Sequence, residues 1–274
     1  MYISEGEKEM KKTFSLVLII LMSLTLFSCG NKPSTSTNEG TTAASVIGKA
    51  LEQARTNPVH DMTLEMNMDM KMMGTSQVLS LATSVQVENP LETEISKMRG
   101  AGRMNTAIMG QEIDFIYYIV DGEMCISGMG ANACGSVEDM SGLTGSSTED
   151  LFNTQQSIFG SDLDGVDFTL VENADTYVLT ADVSDAEVIN KLLKEATSSA
   201  SASEGFEEVN FSNFTLEMIL DKEYNLVSQD ISYVMSGKMQ GYEVEADVEL
   251  VITVNNPGKP VVIDFPDFSS FARY

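Results

Sequence analysis

The stretch MTLEMNMDMKM, residues 62–72, decides the fold of this chain. Six apolar and five polar residues alternate in it without exception, and a period of two is typical of a strand with one buried and one wet face. A helix would scatter the methionines around its circumference. The same alternation returns in YEVEADVELVITV, residues 242–254. The sequence therefore predicts a sheet built from half-buried strands.

Most of the chain between these two stretches repeats the pattern more weakly. Alternation of this kind favours an antiparallel sheet with one solvated face. The Gly-rich residues 128–147 are predicted to be a connection. The further predicted strands are Leu79–Val87, Glu92–Met98, Arg103–Met109, Ile113–Ile119, Glu123–Ser127, Val166–Glu172, Thr176–Asp182, Phe214–Leu220, Val227–Met235 and Val261–Phe265.

Three segments have helical spacing instead. Ala43–Thr56 has apolar residues three and four apart, and Thr148–Phe159 follows a Ser or Thr cap. Ser184 and Glu187 form a capping box that starts a helix running to about Ala196. Because the sheet must bury its apolar face, we expect an α+β fold, in which a large curved antiparallel sheet (a half-barrel) wraps around about three helices.

The N-terminus predicts where the protein resides. Lys11 and Lys12 precede an apolar run, Phe14–Leu26, which is shorter than the about 20 residues that a spanning helix needs. Ser28 and Cys29 follow it, and this pattern resembles bacterial lipoprotein signals, in which the Cys receives a diacylglycerol. We therefore expect a signal peptide at 1–28, a flexible tether at 29–42 and one domain at 43–274. Lipid at Cys29 would anchor the protein to a membrane outside the cytoplasm.

The charge of the chain excludes several classes of partner. The formal net charge is −25, and sixteen Asp and Glu but no Lys or Arg occur from Met104 to Asn190. Nucleic acids and anionic lipid surfaces both require basic residues, so neither is an expected partner. The acidic residues form either a solvated surface or a face for a cation or a basic protein partner.

Two cysteines remain besides Cys29. Cys125 and Cys134 lie nine positions apart across a Gly-rich stretch. In an extracytoplasmic domain, an even pair predicts a disulfide that closes a hairpin. Two free thiols are the alternative. Their spacing is unlike that of a metal site, and we expect no metal and no cofactor.

The pattern as a whole resembles the LolA/LolB and LppX/LprG group of bacterial extracytoplasmic carriers, and in particular Met-rich lipoproteins of Gram-positive bacteria. The residues that carry the resemblance are the strand Met66–Met72, the hairpin Tyr118–Met124 and the end strand Val261–Pro266. The resemblance implies a half-barrel with an apolar cavity between sheet and helices, which in relatives holds acyl chains. It implies no catalytic residues.

The methionine stripe is the main candidate site. Methionine is unbranched and polarisable, so it suits adaptable apolar surfaces. The stripe could also be ordinary sheet core, and Cu(I) capture by thioethers is a further alternative. The residues predicted to line a ligand cavity are Met62, Leu64, Met66, Met68, Met70, Met72, Phe115 and Tyr117.

No constellation for catalysis is visible. Asp162–Asp167 has closely spaced carboxylates, but its glycine is misplaced for a calcium loop, so a polar turn is the simpler interpretation. His60 is the single histidine, and no nucleophile motif accompanies it. We expect a protein that is not an enzyme and that binds a lipid or another apolar ligand. The alternative is a structural or partner-binding envelope lipoprotein that uses its acidic surface.

Overall fold

The computed structural model describes residues 41–92, 95–108, 111–128, 130–136, 166–190, 193, 206–239 and 241–273. Helix α1 spans Ala43–Thr56, and two single 3-10 turns lie at Ile95–Lys97 and Phe268–Ser270. The strands are β1 Asp61–Met72, β2 Thr75–Val87, β3 Gly100–Ile108, β4 Gln111–Val120, β5 Glu123–Gly128, β6 Ala131–Ser136, β7 Thr169–Glu172, β8 Thr176–Val183, β9 Phe206–Asp221, β10 Leu226–Met239, β11 Tyr242–Val254 and β12 Ala272–Arg273.

In the described part of the chain, these strands form one sheet in the order β12-β6-β5-β4-β3-β2-β1-β11-β10-β9-β8-β7. Strands β1–β6 form one meander and β7–β11 form a second. The two are fused where β1 pairs antiparallel with β11, from Met62 opposite Val254 to Met72 opposite Val244. The two alternating stretches of the sequence are therefore neighbours at the centre of the sheet, and β12 joins β6 in parallel at one edge.

The prediction of an α+β half-barrel wrapped around about three helices is wrong, because the described structure is a large open sheet with little helix. Within the described residues, α-helix is confined to α1, residues 186–190 and residue 193. The predicted helix Thr148–Phe159 lies outside the described residues. The predicted connection at 128–147 contains strand β6 instead.

The physical reason lies in the central core. Its described members come from the strands and from Val59, and their long Met, Phe and Tyr side chains pack against one another. Strand β11 alternates strictly between exposed and buried residues from Glu243 to Val254. Strand β1 does the same over Leu64–Met68. The predicted strands at both stretches are thus confirmed, and among the described residues no helix contributes to this central core.

Helix α1 has the predicted ends. The Oγ1 of Thr42 accepts from the Ser45 N–H, and the Ser45 Oγ lies 3.1 Å from the N–H of Thr42, which closes a capping box. Val46 and Ala50 are its buried residues. They pack on a second core cluster, formed by Tyr177, Leu179, Met218, Leu220, Leu226 and Val254. Helix α1 therefore covers one end of the apolar face.

The helix that was predicted to begin at the Ser184 cap is capped one residue later in the structure. The Oδ1 of Asp185, not the side chain of Ser184, accepts the N–H groups of Glu187 (2.8 Å) and Val188 (3.4 Å). Asp185 therefore serves as the helix cap, which is a role that Asp fills as well as Ser.

The C-terminal segment crosses the outer face of the sheet at β4–β6. Tyr118 packs edge-on against Phe268, with ring centroids 5.4 Å apart. The N–H of Ile263 donates to Oε1 of Glu88 at 2.8 Å, and Glu88 also accepts from Nε of Arg99 at 2.6 Å. We call residues 261–273 the C-terminal strap. The strap adds a covered patch on the face that is otherwise polar.

Candidate functional site

The predicted cavity residues lie mostly inside the central core. Met62, Leu64, Met66, Met68 and Phe115 are buried, and Met70 and Tyr117 are partly buried against them. Met72 is at the hairpin end of β1, is half-exposed and does not belong to this cluster. The structure therefore brings seven of the eight residues together, as one packed layer on the inner face of the sheet.

Two tyrosines extend this layer. Burial raises the pKa of Tyr117 to about 12, and it raises the pKa of Tyr233 to about 12 as well. Both phenols are consequently neutral at physiological pH. They contribute mainly apolar ring surface to the inner face, with a polar tip.

A cleft opens beside this layer, between α1 and one end of the sheet. Its floor is apolar and is formed by Leu220, Leu226 and Val254, each almost fully buried. Ala50 forms the helical wall. The cleft encloses about 30 Å³, which is enough for about one water molecule. Its lining residues are Ala50, Gln53, Ala54, Asn57, Pro58, Val59, Leu220, Tyr224, Asn225, Leu226, Val254 and Gly258.

Polar side chains close the rim of the cleft. Nε2 of Gln53 donates to Oδ1 of Asn225 at 2.9 Å, and Nδ2 of Asn57 donates to the carbonyl of Gly258 at 3.0 Å. Nζ of Lys49 donates to the hydroxyl of Tyr224 at 2.9 Å. These three bonds hold α1 against residues that follow it by about 170 to 200 positions. The bond from Lys49 is exposed and the other two are part-buried, and each joins neutral or singly charged polar groups whose net contribution to stability is about 0.5–3 kcal/mol.

The tyrosine at the rim belongs to a stacked pair. The rings of Tyr177 and Tyr224 are 5.3 Å apart and nearly parallel, and Nζ of Lys222 lies 4.0 Å from the centre of the Tyr177 ring. The hydrogen bond from Lys49 lowers the pKa of Tyr224. The pair with its two lysines places positive charge beside the cleft.

A buried amide lies one layer deeper than the cleft floor. Gln229 on β10 pairs with Met218 on one side and Ile252 on the other, which are each two residues from the floor residues Leu220 and Val254. The side chain is 1% exposed. Neither Nε2 nor Oε1 has a hydrogen-bond partner among the described residues. Sequence reasoning missed this residue, although the signal was visible as a gap in the apolar series Val227–Met235.

The opposite face of the central strands is acidic. Glu243, Glu245, Asp247 and Glu249 are the exposed residues of β11 that alternate with its core. Nζ of Lys71 on β1 lies 3.1 Å from Asp247 and 3.8 Å from Glu245. The hydrogen bond to Asp247 raises the pKa of Lys71. This face is polar and solvated, and no group of three potential metal ligands occurs within the described ranges.

Some of the remaining predicted site residues lie in the described part of the chain, and others lie outside it. Cys125 and Cys134 face each other across β5 and β6 and are joined by a disulfide, with both residues buried. Nδ1 of His60 lies 2.9 Å from the carbonyl of Val87. Cys29, the signal segment and residues 162–165 of the predicted acidic turn lie outside the described residues.

The architecture defines a mainly β protein with an apolar inner face, an acidic outer face and a helix-covered cleft. A model for a family of unknown function, DUF6612, matches residues 42–258. The chain belongs to this family. No curated protein matches it. None of the described helices has the length and apolar character needed to cross a membrane.

Several solved structures have low similarity to the chain. A DUF1329 family protein from Desulfovibrio piger is 12% identical over 75% of this chain and 91% of its own, with a TM-score of 0.26. A putative outer membrane lipoprotein-sorting protein domain from Vibrio parahaemolyticus is 12% identical over 75% and 89%, with a TM-score of 0.20. The ywiB protein from Bacillus subtilis is 9% identical over 72% of this chain and 93% of its own, with a TM-score of 0.20.

Proposed function

We propose that this protein is a non-catalytic, extracytoplasmic lipoprotein that binds an apolar ligand, such as an acyl chain, between α1 and the inner face of the sheet. The observation that carries the proposal is the cleft. Its apolar floor of Leu220, Leu226 and Val254 continues directly into the methionine layer, while its rim is polar. Apolar walls with a few polar groups at the mouth are typical of small-molecule sites.

Entry of a chain requires α1 to move, because the cleft has room for about one water molecule. The contacts of α1 favour such a movement. Its buried residues, Val46 and Ala50, are small, and the rim bonds of Lys49, Gln53 and Asn57 are replaceable by water. Burying ten methylenes would contribute about 8 kcal/mol before the cost of ordering, which is enough to displace these contacts.

The methionines make the inner face adaptable. Met62, Met66, Met68 and Met218 lie in the layer next to the floor, and unbranched thioethers change rotamer more easily than branched side chains do. The layer can therefore part along an inserted chain without breaking the β ladder beneath it. Met70 would then border the far end of the bound ligand, towards the β1–β2 hairpin, whereas Tyr117 lies level with Met62 at the end of the sheet nearer the cleft.

The location follows from the N-terminal sequence. Acylation at Cys29 holds the protein at the outer surface of a membrane, since two or three acyl chains at about 0.8 kcal/mol per methylene bind firmly. A flexible tether at 29–42 would give a reach of about 20 Å. Metabolic labelling with an alkyne fatty acid tests this point, with Cys29→Ser as the control that should lose all label.

Uptake of cis-parinaric acid tests binding. The whole described structure lies within residues 41–273, so the chain from residue 29 onward with Cys29→Ser retains it. We expect saturable fluorescence, weakened at least tenfold by Leu226→Gln on the cleft floor. Val251→Gln on the exposed face of β11 is the matched control and should bind normally. Equal binding by both variants, or no binding by the parent, would contradict the proposal.

A second candidate function rests on the acidic face. Glu243, Glu245, Asp247 and Glu249 form an exposed row on a central strand, where a basic protein could dock. Replacing all four by Gln or Asn should abolish capture of such a partner and leave uptake of the fatty-acid probe unchanged. Loss of a cellular phenotype with that variant, and not with Leu226→Gln, would favour this second function.

A further inference from the structure

Gln229 is the residue of the inner face that the fold does not explain. It stands in line with Met218 and Ile252, among apolar side chains, with 1% of its surface exposed. Other buried polar groups of this sheet are paired. Thr83 Oγ1 donates to the carbonyl of Arg103 at 2.9 Å, and Thr106 Oγ1 donates to the carbonyl of Ser80 at 3.1 Å.

An unpaired buried amide is costly. Leaving a buried donor or acceptor without a partner destabilises a fold measurably, and Gln229 has both kinds without a partner among the described residues. Methionine has nearly the same shape and would fill the site without this cost. The unpaired amide therefore destabilises the ligand-free protein, and a ligand that forms hydrogen bonds with it would remove this free-energy cost.

The position of the amide connects it to the cleft. A register shift between Leu226 and Ser228 places Leu226 and Gln229 on the same face, although they are three residues apart. Leu226 belongs to the floor. Gln229 follows directly behind it, where the cluster under α1 meets the central methionine layer. A chain that enters over Leu226 and runs along β10 consequently meets Gln229, while Met62 of β1 borders the floor on its other side, beside Val254.

We propose that Gln229 recognises a neutral polar group carried within or at the head of an otherwise apolar ligand. The inference rests on the function proposed above and specifies its ligand class. The glutamine amide both donates and accepts, so its best partner offers an acceptor beside a donor, as a primary amide, a protonated acid or a hydroxyl-bearing ester does. A pure hydrocarbon leaves the amide unpaired, and an ionised carboxylate is too costly to bury at this depth.

Three matched probes test the assignment: 1-decylpyrene, methyl 10-(1-pyrenyl)decanoate and 10-(1-pyrenyl)decanamide. They share a ring and a chain and differ in the polar group alone. With the chain from residue 29 onward carrying Cys29→Ser, we expect the amide to bind roughly tenfold more tightly than the hydrocarbon, which is the effect of one hydrogen bond of about 1.4 kcal/mol. The ester should fall between them because it only accepts.

Gln229→Met should abolish this order of affinities while still binding decylpyrene, and it should resist urea at least as well as the parent. Equal affinities of the parent for all three probes, or an unchanged order in Gln229→Met, would overturn the role of Gln229 and leave the proposed function standing. If the parent binds none of the probes and releases no lipid on extraction, the proposed function fails together with the inference.

A second measurement uses the parent protein alone, so it applies even if Gln229→Met does not fold. Infrared spectra of the ester probe with a ¹³C-labelled carbonyl report hydrogen bonding directly. On binding to the parent, we expect the band to move to lower wavenumber than in hexane. A band at the hexane position would overturn the assignment, since the carbonyl would then be bound without a donor.

Discussion

Tyr117 lies across the β3–β4 pair from Gly102, and its ring occupies the space that a side chain at residue 102 would fill. A Cβ atom placed on Gly102 would come within 2.3 Å of Cζ of Tyr117 and 2.4 Å of its hydroxyl oxygen. Gly102 is buried. The glycine therefore permits a partly buried tyrosine to lie flat on the neighbouring strand at the edge of the methionine layer.

Gly102→Ala should consequently lower the free energy of unfolding by about 1–3 kcal/mol, because the added methyl group overpacks the layer. Urea denaturation followed by circular dichroism measures the loss. The double variant Gly102→Ala/Tyr117→Leu is the control, since removal of the phenol ring frees the space. If the alanine costs the same free energy with and without the ring, Tyr117 is not what Gly102 accommodates.

The rim bonds of α1 predict the kinetics of ligand uptake. Gln53→Ala removes the bond to Asn225 without changing the apolar floor. We expect faster association of cis-parinaric acid in stopped-flow measurements, with little change in affinity, because α1 opens more easily. Glu52→Ala is the matched control, as it is the preceding residue of the same helix and is exposed. An unchanged association rate for Gln53→Ala would show that α1 does not gate the cleft.

The attachment of the C-terminal strap should depend on pH. The N–H of Ile263, and after it Arg99, holds the pKa of Glu88 below its usual value of 4.5. A depressed pKa means that this carboxylate stabilises the fold above pH 4.5, and that the contribution is lost as the pH falls through the lower native value.

Glu88→Gln should therefore be less stable than the parent by about 1–2 kcal/mol at neutral pH, the scale of a hydrogen bond to a charged group. The difference should shrink as the pH is lowered below 4.5. Thermal unfolding at a series of pH values measures it, with the exposed Glu52→Gln as control. A difference that stays constant in acid would mean that the charge of Glu88 does not hold the strap.

The disulfide should stabilise the β5–β6 hairpin. Cys125 and Cys134 close a short loop, for which the loss of chain entropy predicts about 2–3 kcal/mol. Cys125→Ala/Cys134→Ala should lose that amount in urea denaturation. Both cysteines are buried, so dithiothreitol should reduce the native protein far more slowly than the urea-unfolded protein. Equally fast reduction in both states would contradict the burial described here.

Local patterns account for what the sequence could predict. Strand β1 lies at Asp61–Met72 and α1 at Ala43–Thr56, close to the predicted bounds, because alternation and capping depend on neighbouring residues. The Gly-rich composition concealed β6, and the parallel pairing of β12 with β6 has no local signal. Among the described residues, α-helix is confined to α1 and a short segment after Asp185, and β1 and β4 contribute long side chains to one shared core.

The site was less predictable than the sheet. The methionine layer was visible as a stripe, but the cleft depends on bonds such as that between Gln53 and Asn225, which are 172 positions apart. Gln229 is buried because of its register against Met218 and Ile252, and register over that distance does not follow from composition. Contacts of this kind become visible in the folded structure alone.

Native mass spectrometry is the most direct test of ligand binding beneath α1. The chain from residue 29 onward, with Cys29→Ser, would be exported behind a cleavable secretory signal, purified without detergent, and then extracted with organic solvent. We predict a stoichiometric mass increment that the extract identifies as a lipid with a neutral polar group, and that is lost in Leu226→Gln but kept in Val251→Gln. A clean apo mass, together with no uptake of cis-parinaric acid, would contradict the binding function proposed here.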